Sequence, residues 1–271
     1  MTILVTGATG NVGRLVVDEL VRAGTERSVP PIRALTVNPV RAALPDGVEV
    51  AKGFVGRPES LDGVFDGVDV LYLAPVPAVA GAVAQLARDA GVRRIVTLTG
   101  GEGSDWHGIE ADVERSGLAC THLEPGEFMS NALIWAEQIR TTGEVRGAYP
   151  TAATAPIALE DIAAVAARAL LDDAHAGRTY ELTGPESLSH PDIVREIGRA
   201  LGREVPFREV SREEAETLLK RSMGEYAGWY LDGRASMIGR PQQVTRTVED
   251  VIGRPATTFA QWAHAHVDEF R

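Results

Sequence analysis

A short apolar run, Ile3-Leu4-Val5, leads into Thr6-Gly7-Ala8-Thr9-Gly10-Asn11-Val12-Gly13, and the chain continues in the helical pattern Arg14-Leu15-Val16-Val17-Asp18-Glu19-Leu20. A strand, a glycine turn and a helix in immediate succession restrict the fold more than any other segment. Gly7 permits the tight turn, Gly10 lets backbone approach a pyrophosphate with no Cβ in the way, and Gly13 lets the helix pack close to the strand. Free N–H groups at the helix start then meet phosphate charge. The expected phosphate-binding set is therefore Gly7, Thr9, Gly10, Asn11, Val12 and Gly13. A glycine turn kept for packing alone is the alternative, and the flanking strand and helix argue against it.

Further strand-like runs recur at Ile32 to Val37, Val48 to Ala51, Val68 to Leu73, Ile95 to Leu98 and Leu118 to Leu123. Helix-like stretches separate most of them, such as Val79 to Ala90, which Gly91 stops. This alternation predicts an α/β fold with a doubly wound parallel sheet covered on both faces. Right-handed crossovers place the glycine turn and the later strand ends on one carboxyl edge, where ligands bind; Ala74 and Pro75 follow one such end. Beyond about residue 140 helices dominate. Glu160 to Leu171 carries an apolar stripe, and Tyr180-Glu181-Leu182 is a strand candidate. Ser189, Ser211 and Thr257 or Thr258 are expected helix caps. The division expected is a dinucleotide-binding domain over 1–150 and a small, mostly helical substrate lobe over 151–271, partly integrated with the first.

The chain carries 27 Lys+Arg against 38 Asp+Glu, a net charge of −11, which disfavours nucleic acid and anionic membrane as partners. Its one cysteine, Cys120, sits in an apolar run and reads as a structural thiol. No apolar run is long enough to span a bilayer and no secretory leader is evident, so a cytoplasmic protein acting on a small molecule is expected, with a homo-oligomer left open. The histidines are scattered without a supporting carboxylate or cysteine cluster, so no metal site is expected.

A protein that binds NAD commonly places a carboxylate after the second strand for the ribose hydroxyls, whereas a phosphate there needs cations. From Arg27 to Pro45 there is no Asp or Glu, while Arg27, Arg33 and Arg41 fall in the span with Thr36 and Asn38 near the strand end. This favours NADP(H) over NAD(H). For any one of these arginines, a solvated surface is the blander reading.

Three segments in order, Gly7-Ala8-Thr9-Gly10-Asn11-Val12-Gly13, Arg33-Ala34-Leu35-Thr36-Val37-Asn38-Pro39 and Glu124-Pro125-Gly126-Glu127-Phe128-Met129-Ser130-Asn131, resemble the NmrA-like branch of the atypical short-chain dehydrogenase/reductase superfamily. The resemblance covers most of the chain. It implies a Rossmann domain with a C-terminal substrate lobe. It leaves the substrate open, because the branch includes quinone and other reductases as well as non-catalytic redox sensors. Two positions depart from the family's habit. Val37 stands where NADP binders of this branch often carry Arg, and Gly53 is followed by Phe54 where the family often has Asp. Phe54 is expected to form an apolar adenine wall instead.

The familiar short-chain dehydrogenases use a Tyr-x-x-x-Lys pair, whose ammonium lowers the phenol pKa so that tyrosine passes a proton as hydride arrives. No tyrosine lies between Tyr72 and Tyr149, so this chain has no such pair after the fifth strand. Thr97 and Thr99 end that strand and turn the same way. Thr97 is expected beside the cofactor, and Thr99 is the candidate for holding the reacting oxygen. His107, opening a helix-like stretch to Ser116, is the candidate proton donor. Trp106 is expected either to stack on a planar substrate or to anchor its loop in the core. After Pro125, a cofactor-edge position, Phe128 and Met129 would shape an apolar substrate pocket in which Asn131 orients a polar group. The function expected is an NAD(P)H-dependent oxidoreductase reducing a small organic compound such as a quinone or ketone; the alternative is a non-catalytic dinucleotide-binding redox sensor.

Overall fold

The computed structural model describes residues 1–26, 28–100, 104, 106 and 108–271. They form two compact units, one made of Met1–Pro125, Leu159–Leu182 and Thr247–Arg254, the other of Gly126–Ala158, Thr183–Arg246 and Pro255–Arg271.

In the first unit, seven strands form one sheet: β1 Ile3–Val5, β2 Ile32–Thr36, β3 Glu49–Lys52, β4 Val70–Leu73, β5 Arg94–Leu98, β6 Ala119–Pro125 and β7 Arg178–Leu182. All neighbours pair in parallel, in the order β3-β2-β1-β4-β5-β6-β7. The order reverses between β1 and β4, and in open α/β sheets that switch point marks the ligand crevice at the carboxyl edge. Helices cover both faces, as strands buried on both sides require. On one face Leu4, Leu35, Leu71, Leu73 and Ile95 pack with Val83, Ala84 and Ala87 of α2 (Ala80–Asp89) and Val113 of α3 (Ile109–Glu114). α1 (Asn11–Glu26) packs against α4 (Leu159–Leu171), whose many alanines allow close approach.

The units do not follow a single cut at residue 150. Segment 159–182 belongs with the sheet because β7 hydrogen-bonds along β6 and α4 packs on α1. Arg94, buried at the start of β5, ties this arrangement together. Its guanidinium donates to the carbonyls of Ala169 and Leu170 at 3.0 Å and pairs with Asp173 at 2.9 Å, so it satisfies the free carbonyls at the end of α4.

The second unit is mainly helical, with two-stranded pairings of Val145–Gly147 with Phe207–Glu209 and of Ala153–Thr154 with Leu188–Ser189. Its core gathers Met129, Trp135, Ile139, Ile193, Ile197, Phe259 and Trp262. The expected caps form. Ser189 and Asp192 make a reciprocal capping box for helix His190–Leu201, Ser211 accepts from the Glu214 N–H, and Thr258 with Gln261 caps Phe259–Ala265. Among the described residues, no helix is long and apolar enough to cross a membrane.

Candidate cofactor and active site

Backbone contacts explain the glycine turn. Gly7 has a φ of +59°, in the left-handed region, and a Cβ there would come within 2.9 Å of the Ala74 Cβ. At Gly13 a Cβ would sit 2.2 Å from the Gly7 carbonyl oxygen, so α1 is packed on the turn at a distance only glycine allows. The Gly10 N–H donates to the Gly7 carbonyl at 2.8 Å, and the Arg14 N–H donates to Gly10 at 3.0 Å. Asn11, Val12 and Gly13 thus occupy the opening turn of α1, where N–H groups lack helical acceptors, and that turn holds no acidic residue. The cradle fits a pyrophosphate on both steric and electrostatic grounds. Thr6, which sequence reading passed over, staples it. Its hydroxyl donates to the Tyr72 carbonyl and accepts from the Ala74 N–H, both at 2.9 Å, fixing the end of β1 to the end of β4. Pro75 follows, half-buried.

At the end of β2 the Thr36 hydroxyl is buried, accepts from the Asn38 N–H at 3.3 Å and lies 3.4 Å from the Thr9 hydroxyl. The Asn38 carboxamide oxygen accepts from the Arg41 N–H and caps the turn Pro39–Arg41. Arg41 itself is exposed. Arg33 does not join this group. It lies near the start of β2, and its guanidinium is spent on Glu49 of β3 and on the carbonyls of Val64 and Asp66, each at 2.8 Å. Glu49 is not legible as a partner in the segment after β2, because it arrives from the neighbouring strand. In exchange the structure supplies Arg14, whose guanidinium bridges Asp18 on α1 at 3.1 Å and the Ala42 carbonyl at 3.4 Å, beside the same turn. Only its place directly after Gly13 signalled it. Arg27 lies outside the described residues. Phe54, at the end of β3, is 49% exposed, its ring stacked over Gly56, and Val37 and Val40 are exposed at the end of β2.

Thr97 and Thr99 are fully buried at the carboxyl end of β5. Thr97 pairs with His122 on β6, hydroxyl to Nδ1 at 2.8 Å, while the Thr99 hydroxyl donates to the Leu123 carbonyl at 3.3 Å. Trp106 is half-buried and packs on the apolar cluster beneath α2 and α3, so core anchoring is the role its surroundings display. His107 lies outside the described residues. Pro125 ends β6 in register with Leu182 of β7.

In the second unit, Phe128 makes a bridge to Ile157, with the Met129 N–H donating to the Ile157 carbonyl at 2.9 Å. Met129 is core filler, 1% exposed, although it also borders a small cavity with Glu127, Phe128, Asn131, Trp135 and Tyr230. The polar wall of that cavity was not legible in sequence. Glu127 pairs with buried Arg234 at 3.2 Å, accepts from the Thr154 hydroxyl at 2.6 Å and from the Tyr230 hydroxyl at 3.2 Å, and Tyr230 lies 3.1 Å from His190 Nε2. Burial, reinforced by Arg234, holds His190 well below its ordinary pKa and hence neutral. Burial and then Glu127 push the Tyr230 phenol well up. No group of His, Cys, Asp and Glu among the described residues could hold a metal ion.

Residues 7–173 match a family described as NAD(P)H-binding. The chain is 36% identical to (4-alkanoyl-5-oxo-2,5-dihydrofuran-3-yl)methyl phosphate reductase of Streptomyces griseus, with 99% of each chain covered. It is 33% identical to NAD(P)H azoreductase of Xenophilus azovorans, again over 99% of each. Among solved structures, NADPH-dependent quinone oxidoreductase of Escherichia coli superposes with a TM-score of 0.84 at 26% identity, covering 99% of this chain and 100% of that one. All three relatives are reductases or oxidoreductases by name, which does not favour the non-catalytic sensor. The glycine cradle, the parallel sheet around it and the likeness over full length agree: the chain belongs to the NAD(P)H-binding family, in its NmrA-like, atypical short-chain branch, and is an NAD(P)H-dependent reductase.

Proposed function

We propose that this reductase prefers NADPH and reduces small, conjugated carbonyl compounds of the quinone or enone type. The observation that carries the cofactor preference is the end of β2, where the turn of Asn38 and Arg41 is joined by Arg14 of α1 through the Ala42 carbonyl, and where residues 27–45 hold no acid to receive the ribose hydroxyls, the Asp18 carboxylate being paired with Arg14 on α1. A 2′-phosphate suits such a group, since guanidinium donors match its geometry and charge. Gly7, Thr9, Gly10, Asn11, Val12 and Gly13 would hold the pyrophosphate. Phe54 would cover the adenine; Ala74, Pro75, Thr97 and Pro125 would line the path toward the nicotinamide.

When bound, the dinucleotide supplies hydride; the protein's part is orientation, exclusion of water and the proton. Thr99 would hold the reacting oxygen at the end of β5. Phe128 and Asn131 would supply substrate contacts, Met129 the packing beneath them, and Trp106 and His107 are proposed as further contributors. The names of the relatives suggest three acceptor classes to compare: quinones, azo dyes and butenolide phosphates.

Steady-state oxidation of NADPH and NADH by purified protein across these acceptors tests the reading. The expected result is kcat/KM at least about tenfold higher with NADPH, a difference of about 1.4 kcal/mol, and highest turnover with a quinone. Equal efficiency with NADH overturns the preference, and turnover confined to azo dyes overturns the substrate class.

A further inference from the structure

His122 is a buried histidine that cofactor binding leaves unemployed. It is 3% exposed, sits on β6 opposite Thr97 of β5, and shares a hydrogen bond with the Thr97 hydroxyl through Nδ1 at 2.8 Å. Its other nitrogen, Nε2, has no hydrogen-bond partner and lies 3.4 Å from Oε1 of Glu114, the last residue of α3, whose side chain is 62% exposed. A solvent-facing carboxylate, a buried imidazole and a buried hydroxyl therefore line up from the surface to the carboxyl end of β5. We propose that Glu114, His122 and Thr97 form a proton relay that carries solvent protons to the reacting end of the sheet, in place of the Tyr-x-x-x-Lys pair. The inference rests on the reductase reading.

Reduction of a carbonyl needs one hydride, which leaves the dinucleotide oxidised, and one proton at the oxygen. In the loaded relay His122 carries hydrogen on Nδ1, which donates to Thr97 Oγ1, while bare Nε2 faces a Glu114 carboxyl that has taken a proton from water. The Thr97 hydroxyl proton departs toward the strand end as the Nδ1 proton replaces it and Nε2 takes the Glu114 proton. An intact threonine, a neutral imidazole with hydrogen on Nε2 and a Glu114 carboxylate remain. Thr99 lies on the same face one strand repeat further, about 7 Å along. Two linked oxygens, the substrate's and a water's, therefore span the two hydroxyls, each hydrogen bond covering about 2.8 Å.

The surroundings suit this duty. On α3, Glu110 accepts from the Gly108 N–H and Asp112 pairs with Arg115, which leaves Glu114 to face His122. On β6, Cys120 shares the face, its thiol pushed up to about 11 by burial and by Glu114, so it stays protonated and adds no charge. Glu124 follows on the same face of β6, in register with Glu181 of β7, and Thr179 of β7 stands opposite His122 without charge.

The test compares wild type with Glu114→Gln, His122→Gln, Thr97→Val and Thr97→Ser, using NADPH and a ketone or quinone acceptor. The relay predicts that His122→Gln and Thr97→Val lower kcat about tenfold or more, flatten its pH profile and abolish its solvent deuterium isotope effect, with NADPH Kd unchanged in His122→Gln; this size follows general acid catalysis. Thr97→Ser restores the rate. Glu114→Gln, an exposed change that keeps the fold, lowers kcat and flattens its pH profile, since an amide cannot carry the proton. Nitrogen-15 NMR of the histidine rings in cofactor-free protein reads the same relay without turnover, through His122 signals that show hydrogen on Nδ1 and change in Glu114→Gln. Wild-type rates and profiles in Glu114→Gln and Thr97→Val overturn the relay while leaving the reductase intact. Absence of wild-type turnover with every acceptor overturns the reductase reading and the relay with it.

Discussion

Arg33 donates its Nε to Glu49 Oε1 at 2.8 Å across the β2–β3 pair, and this one ion pair removes the most conspicuous cation of the second strand from cofactor recognition. Under the proposed NADPH preference, selectivity rests on Arg41 and Arg14. Arg33→Met is expected to leave the NADPH-to-NADH ratio of kcat/KM unchanged, whereas Arg14→Met with Arg41→Met lowers it about tenfold or more, each lost charge-assisted contact weakening phosphate binding. Initial rates with both cofactors decide between the two arginine sets.

The cradle makes a sharper steric prediction. Gly13→Ala forces a methyl to 2.2 Å from the Gly7 carbonyl oxygen, which is backbone and has no rotamer to yield. A loss of about 1–3 kcal/mol or more in stability is expected, along with NADPH binding. Gly24→Ala is the matched control in the same helix, since the nearest atom is 3.9 Å away and helix propensity alone stabilises it by up to about 1 kcal/mol. Chemical denaturation and cofactor titration of both variants measure the contrast.

Glu127 and Arg234 form a buried pair in the second unit, so removing either partner strands the other. Arg234→Met is expected to destabilise by about 3–5 kcal/mol, and Glu127→Leu with Arg234→Met to recover much of that loss. A double-mutant cycle in urea gives the coupling directly.

His190 sets a pH dependence of stability. Its folded pKa is depressed well below the unfolded value of 6.5, so in the intervening range the unfolded chain binds a proton that the folded chain refuses. Stability is therefore full above pH 6.5 and declines as pH falls below it. Melting curves between pH 7 and pH 5 should show this decline in wild type and a shallower one in His190→Gln, which keeps a hydrogen-bonding partner for Tyr230.

The sheet was readable because strands buried on both faces are spelled as continuous apolar runs, as Ile3 to Val5 and Val70 to Leu73 show. Ser189, Ser211 and Thr258 were equally readable, since a cap is a local bond between neighbours. The role of Arg33 was not, because its partners Glu49, Val64 and Asp66 lie far along the chain. Nor was the hydrogen-bonded cluster of Glu127, Thr154, His190, Tyr230 and Arg234, whose members come from separate segments and share no spacing.

By itself the sequence determined the glycine turn, since Gly7, Gly10 and Gly13 act within one turn and their lack of a Cβ is a property of each residue. It also determined the parallel alternation of strand and helix, and the want of a Tyr-x-x-x-Lys pair. The tertiary structure alone decided which charges are free to meet a ligand and which hydroxyls have a histidine behind them. Charge and proton transfer depend on distances of a few ångströms between residues remote in the chain, such as Thr97 and His122, and only the packed sheet brings those together.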